Sequence, residues 1–257
     1  MSNPGMMKDG MSKKELHLFF VLDTSGSMQG MPIAQLNEGM SSTMNILRNK
    51  FEENVDVDLK IAVLEYNSGA QWRTGGNNHL EDMQDFVEYT DLEARGMTYL
   101  GAALDMLNAG LSRDTMMKSA TGNKCPIIIF LSDGYPTDDW RSALERIKGN
   151  KWYQQAIKIG IALGERADEK MLGEVVGNEK NVLKLEETER LANLIEVLSV
   201  TASLAGSVSQ TNNVDAEKII ENVEKEINGE EYADPEPDSD QQMDSDDDFF
   251  INDDDLI

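Results

Sequence analysis

Three stretches of this chain, ELHLFFVLD (15–23), PIIIFLSDG (126–134) and AIKIGIALG (156–164), are apolar almost without interruption. A strand with one wet face alternates apolar and polar residues. A continuous apolar run of this length suits a strand covered on both faces, as in a parallel sheet between two layers of helix. VDVDLKIAVLEYN (55–67) begins with alternation and then turns apolar, and NVLKLE (181–186) is a shorter candidate of the same kind.

Helical spacing fills the intervals. Residues 32–50 open with Pro32 and repeat apolar positions every three or four residues, a pattern that starts and then buries a helix. Residues 98–111 repeat the pattern with Thr98 as the expected N-cap. Residues 137–148 start with capping residues, and Asp138 and Asp139 are expected to cap that helix. Segments 167–177 and 187–206 complete the set, while 68–97, with GGNN inside, read as irregular. Strands alternating with helices define an α/β fold, a doubly wound, mostly parallel central sheet flanked by helices.

The ends differ from the middle. Residues 1–14 are expected to be a flexible start and 15–206 the folded domain. Residues 207–228 are expected to hold a linker and a short amphipathic helix, and 229–257 a disordered acidic tail. The tail carries 13 Asp and Glu and no Lys or Arg, about half of the chain's net charge of −25. A surface this acidic repels phosphate backbones, which argues against nucleic-acid partners. No apolar run is long enough to span a membrane, and no signal-peptide core follows the first charges. With the single cysteine Cys125 there is no intrachain disulfide, so a reducing, cytoplasmic location is expected.

The chemistry gathers where strands should end. Asp23 closes the first run and is followed by Ser25 and Ser27; Asp133 closes another; Thr98 opens a helix. In doubly wound sheets, ligand-binding groups collect beyond the carboxyl ends of the strands. Two carboxylates and three hydroxyls, without Cys or His, form an all-oxygen donor set suited to a hard cation. Mg²⁺ is the expected ion, with Mn²⁺ and Ca²⁺ as alternatives. The competing reading of D-T-S-G-S is a plain turn rich in capping residues.

Asp23-Thr-Ser25-Gly-Ser27, then Thr98, then Asp133, resembles the D-x-S-x-S…T…D set of the von Willebrand factor A (VWA) family, its metal-ion-dependent adhesion site, or MIDAS. More narrowly, LDTSGSM, GMTYLGAAL and LSDGYPTDDW resemble the bacterial tellurite-resistance VWA proteins called TerY-like. The resemblance implies a Rossmann-like VWA fold over roughly residues 15–205. It implies direct metal contacts from the hydroxyls of Ser25, Ser27 and Thr98, with Asp23 and Asp133 close by, often through water. Gly26 and Gly134 are expected to permit tight turns.

The resemblance also implies a non-enzymatic adaptor whose protein partner supplies an Asp or Glu to the metal, in a bacterial stress-response or defence signalling set with a protein kinase and a phosphatase. A VWA subunit of an ATPase-driven, chelatase-type complex is an alternative. A metal-dependent hydrolase is a third, although no P-loop and no Ser-His-Asp arrangement is legible around the two histidines, His17 and His79. The tail segment DSDDDFFINDDDLI (244–257) sets apolar residues among acids. It reads as a solubilising tail, as a linear motif for a partner, or as a source of carboxylates for the metal site.

Overall fold

The computed structural model describes residues 13–52, 54, 57–75, 79–83, 89–208 and 216–227. Apart from Lys13 and Lys14, the expected flexible start lies outside the described residues, as does the acidic tail. Lys14 already belongs to the first strand.

Seven strands form one sheet: β1 (Lys14–Asp23), β2 (Val57–Tyr66), β3 (Ala70–Trp72), β4 (Glu81–Asp82), β5 (Ile127–Ser132), β6 (Ile157–Leu163) and β7 (Val182–Leu185). The order is β3-β2-β1-β5-β6-β7, and β4 pairs with another stretch of β2. The five longer strands run parallel; β3 and β4 pair antiparallel with β2. These two short strands lie in the segment whose composition suggests irregular chain. At three and two residues they show no period; the edge of β2 defines them.

The apolar run of β1 is the centre of the molecule. Its even-numbered residues Leu16, Leu18, Phe20 and Leu22 belong to one core, with the helices α1 (Met31–Phe51), α6 (Leu191–Val208) and α7 (Ala216–Ile227). Its odd-numbered residues Phe19 and Val21 belong to the other, with α2 (Leu100–Gly110), α3 (Trp140–Lys148), α4 (Lys151–Gln155) and α5 (Glu169–Val176). Side chains on a strand point alternately to opposite faces, so a run apolar at every position fills two cores at once. Each such Leu or Phe contributes about 2 kcal/mol of hydrophobic stabilisation.

The chain leaves β1 for β2 on one side and later returns to β5 on the other. Loops therefore diverge above the β1–β5 boundary, which is where a doubly wound sheet opens a crevice.

Candidate metal site

Asp23 is the last residue of β1 and is fully buried. Because Leu22 lies opposite Leu131 across the β1–β5 pair, the register brings Asp23 beside Ser132. The Ser132 hydroxyl donates to Asp23 Oδ2 at 2.8 Å, and the Ser25 amide donates to Asp23 Oδ1 at 2.8 Å. The chain then makes a single 3₁₀ turn, Gly26–Met28. This sets Ser25 Oγ 3.0 Å from Ser27 Oγ, and the Ser27 hydroxyl donates to Asp133 Oδ1 at 2.7 Å. Four of the five donors named from sequence are thus joined by direct contacts.

Thr98 comes from the neighbouring loop. That loop is laced to the first by Arg95 N donating to Thr24 O at 2.8 Å and by Gly26 N donating to Gly96 O at 3.1 Å. Thr98 is not the N-cap of α2: the helix begins at Leu100 with Tyr99 at the cap position, without a side-chain cap from it. The amides of Gly101 and Ala102 instead donate to the two carboxylate oxygens of Asp138, each at 3.0 Å. Asp139 alone caps α3, accepting from Ser142 N. A cap supplied from elsewhere leaves the Thr98 hydroxyl uncommitted; it makes no hydrogen bond among the described residues. Thr98 itself is fixed through its backbone, Thr137 N donating to Thr98 O at 2.8 Å.

The glycines act otherwise than expected. Neither Gly26 nor Gly134 has a positive φ. At Gly26 the constraint is close approach, since a Cβ would sit 3.3 Å from Gly96 O; at Gly134 a Cβ fits. The position that demands glycine is Gly96, at φ 74°, where a Cβ would meet Ser68 Oγ at 2.4 Å. Trp140, the residue after the Asp139 cap, lies in the core under the Arg141 guanidinium.

Three supports had no clear signal in the sequence. Ser132 reads as the end of a strand and Asp138 as a local cap. Glu65, 2% exposed, reads as a stray charge in an apolar run. Glu65 Oε1 accepts from the Thr24 hydroxyl at 3.0 Å and from Asn67 Nδ2 at 3.1 Å. Its other oxygen accepts from Gln71 Nε2 at 2.9 Å and lies 3.5 Å from Arg73 Nε. Asn67 O in turn accepts from Tyr99 N. One buried carboxylate thereby ties the Asp23 loop to the Thr98 loop.

Burial dominates the electrostatics of the two carboxylates. Burial pushes the Asp23 carboxyl up to about 6, against which its hydrogen bonds from Ser25 and Ser132 act. Burial also raises Asp133, opposed by the Ser27 hydroxyl and by the charge of Arg166. A divalent ion would reverse both shifts. The donor chemistry fits such an ion. Among the described residues no group of three or more His, Cys, Asp or Glu is placed to hold a metal, so a cation here needs the hydroxyls. In an octahedron with metal–oxygen distances of about 2.1 Å, adjacent ligands lie about 3 Å apart, the separation of Ser25 Oγ and Ser27 Oγ.

The sequence matches the model of the von Willebrand factor type A domain over residues 17–197, and the chain belongs to that family. No curated protein sequence matches it. Among solved structures, a von Willebrand factor type A protein from Catenulispora acidiphila superposes with TM-score 0.54 at 16% identity, over 74% of this chain and 43% of that one. The ArnB paralog VWA2 from Sulfolobus acidocaldarius gives 0.52 at 18% identity, over 73% and 46%. Proximal thread matrix protein 1 from the mussel byssus, in a form with a zinc-occupied MIDAS motif, gives 0.50 at 15% identity, over 72% and 47%. This chain spans less than half the length of these proteins, and at such identities the likeness is one of fold. Among the described residues, no helix is long and apolar enough to cross a membrane.

Proposed function

We propose that this protein is a non-enzymatic, metal-dependent binding module. In this reading Ser25, Ser27 and Thr98 hold a divalent cation through their hydroxyls, while Asp23 and Asp133 balance its charge. The observation that carries it is the Ser25–Ser27–Asp133 contact chain at the carboxyl end of the β1–β5 pair, beside a Thr98 hydroxyl with no structural duty. Neutral hydroxyls leave the cation electron-poor, so it attracts a carboxylate from outside. A partner protein supplies that Asp or Glu. The zinc in the mussel relative's MIDAS supports a divalent ion of some kind at this place, and the all-oxygen donor set favours Mg²⁺. The TerY-like resemblance of LDTSGSM, GMTYLGAAL and LSDGYPTDDW supports a place in a bacterial stress-response or defence set with a protein kinase and phosphatase.

The test is a pull-down from native lysate in Mg²⁺ and in EDTA, comparing wild type with Thr98→Ala, beside calorimetric titration with Mg²⁺, Mn²⁺ and Zn²⁺. Thr98→Ala removes a hydroxyl the fold does not use, so lost binding reports the metal and not the fold. The reading expects a partner only for wild type with Mg²⁺, and its identity distinguishes a kinase or phosphatase from an ATPase ring. Equal recovery in all four conditions would overturn it.

A further inference from the structure

Four large apolar side chains are exposed among the described residues, and three of them lie within four residues of a candidate metal ligand along the chain: Met31 at 52%, Met97 at 49% and Tyr135 at 66%. Met97 directly precedes Thr98, Tyr135 follows Asp133 by two residues, and Met31 starts the helix after the Ser25–Ser27 turn. The loops that carry the oxygen donors thus also carry an apolar rim. Clustered exposed apolar side chains mark an interaction surface. The rim includes a cation: Arg166, exposed beyond β6, lies close enough to Asp133 for its charge to favour that carboxylate. A ligand matching this surface carries a carboxylate beside large apolar side chains.

The chain's own sequence contains such a segment. Residues 244–257, DSDDDFFINDDDLI, lie outside the described residues and set Phe249, Phe250 and Ile251 between two runs of aspartate. We propose that this segment docks in cis on the rim formed by Met31, Met97 and Tyr135 and offers an aspartate to the metal. The inference rests on the metal reading above. Reach is ample: the chain from Ile227 to Phe249 extends to about 70 Å, against a domain on the order of 40 Å across. Tethering raises the local concentration of such a ligand to roughly the millimolar range. A second copy is the weaker occupant, because two chains of net charge −25 repel each other, whereas the tether holds the segment near its own site.

The test uses isotope-labelled full-length protein and Mn²⁺ at substoichiometric amounts as a paramagnetic probe, read by NMR. The expected result is loss of backbone signal around Ser25 and Thr98 together with loss at residues 249–251, unchanged on dilution. In the Met97→Ser, Tyr135→Ser double variant, signals at 249–251 return while those around Ser25 stay lost. If the Ser25 region broadens and 249–251 do not, the docking is refuted and the metal site stands. If neither region broadens, the metal reading fails and takes this inference with it. Loss at 249–251 that survives the double variant means the aspartates bind Mn²⁺ by themselves, and loss that fades on dilution means a second copy; either result overturns the proposal.

Discussion

Replacing Asp23 by Asn should stabilise the metal-free protein while destroying its response to metal. In the folded chain the buried Asp23 carboxyl keeps its proton up to about pH 6, whereas its ordinary value is 3.8. The folded state therefore binds the proton more tightly than the unfolded state. Its stability falls as pH rises from 3.8 through 6, and the loss totals roughly 3 kcal/mol above that window. Asn has the same shape. Its oxygen accepts from the Ser25 amide, and its NH₂ donates to Ser132 Oγ, whose own proton turns to Gly134 O, 3.4 Å away. In EDTA at pH 8, Asp23→Asn is expected to exceed wild type by up to about 3 kcal/mol, with the difference gone at pH 4. Mg²⁺ closes that gap: at a hundredfold excess over its Kd the wild-type site gains about 2.7 kcal/mol, and the Asn variant gains none. Urea unfolding at pH 4, 6 and 8, in EDTA and in Mg²⁺, measures all of this. An Asn variant less stable than wild type at pH 8 in EDTA, or equally stabilised by Mg²⁺, would refute the reasoning.

The other consequences concern the scaffold. His17 is fully buried in β1, its Nε2 3.6 Å from a Glu15 carboxylate oxygen. Burial and then the Lys60 charge lower it to about 4, opposed only by the Met116 backbone. Because the unfolded chain takes up that proton near 6.5, wild type loses about 3 kcal/mol through His17 as pH falls from 6.5 to 4, opposite in sign to Asp23. His17→Leu should remove this acid sensitivity, measured as the pH dependence of the urea midpoint. Asp138→Ala leaves the Gly101 and Ala102 amides uncapped and should cost about 1–2 kcal/mol in thermal unfolding; because it loosens the start of α2 beside Thr98, calorimetry should also show weaker Mg²⁺ binding. Gly39→Ala places a Cβ 2.7 Å from Ala192 Cα. Forcing α1 and α6 apart should cost about 1–3 kcal/mol of overpacking, read as a lowered Tm with metal affinity unchanged.

Much of this was legible one segment at a time. The uninterrupted apolar residues of β1, β5 and β6 state that these strands are covered on both faces, because a strand presents alternate residues to opposite sides. Asp23, Ser25 and Ser27 announce themselves by a spacing short enough for one turn to bring them into contact. Features that depend on a distant neighbour were not legible. The strands β3 and β4 exist only as additions to the edge of β2. Asp138 looks like a cap for the helix that follows it, yet serves one that begins 38 residues earlier, and Thr98 looks like a cap and is released from that duty. Glu65 looks misplaced in an apolar strand until Thr24, Asn67, Gln71 and Arg73 surround it.

The sequence by itself therefore determined the layered α/β class and singled out the candidate oxygen donors, since periodicity and local spacing are short-range properties of a chain. Only the tertiary structure decided that β1 lies between β2 and β5. That order places Asp133 against Ser27 across 106 residues of chain and sets Ser132 under Asp23. The reason is physical: which apolar strand pairs with which depends on how two whole cores pack at once, and no local stretch of sequence carries that information.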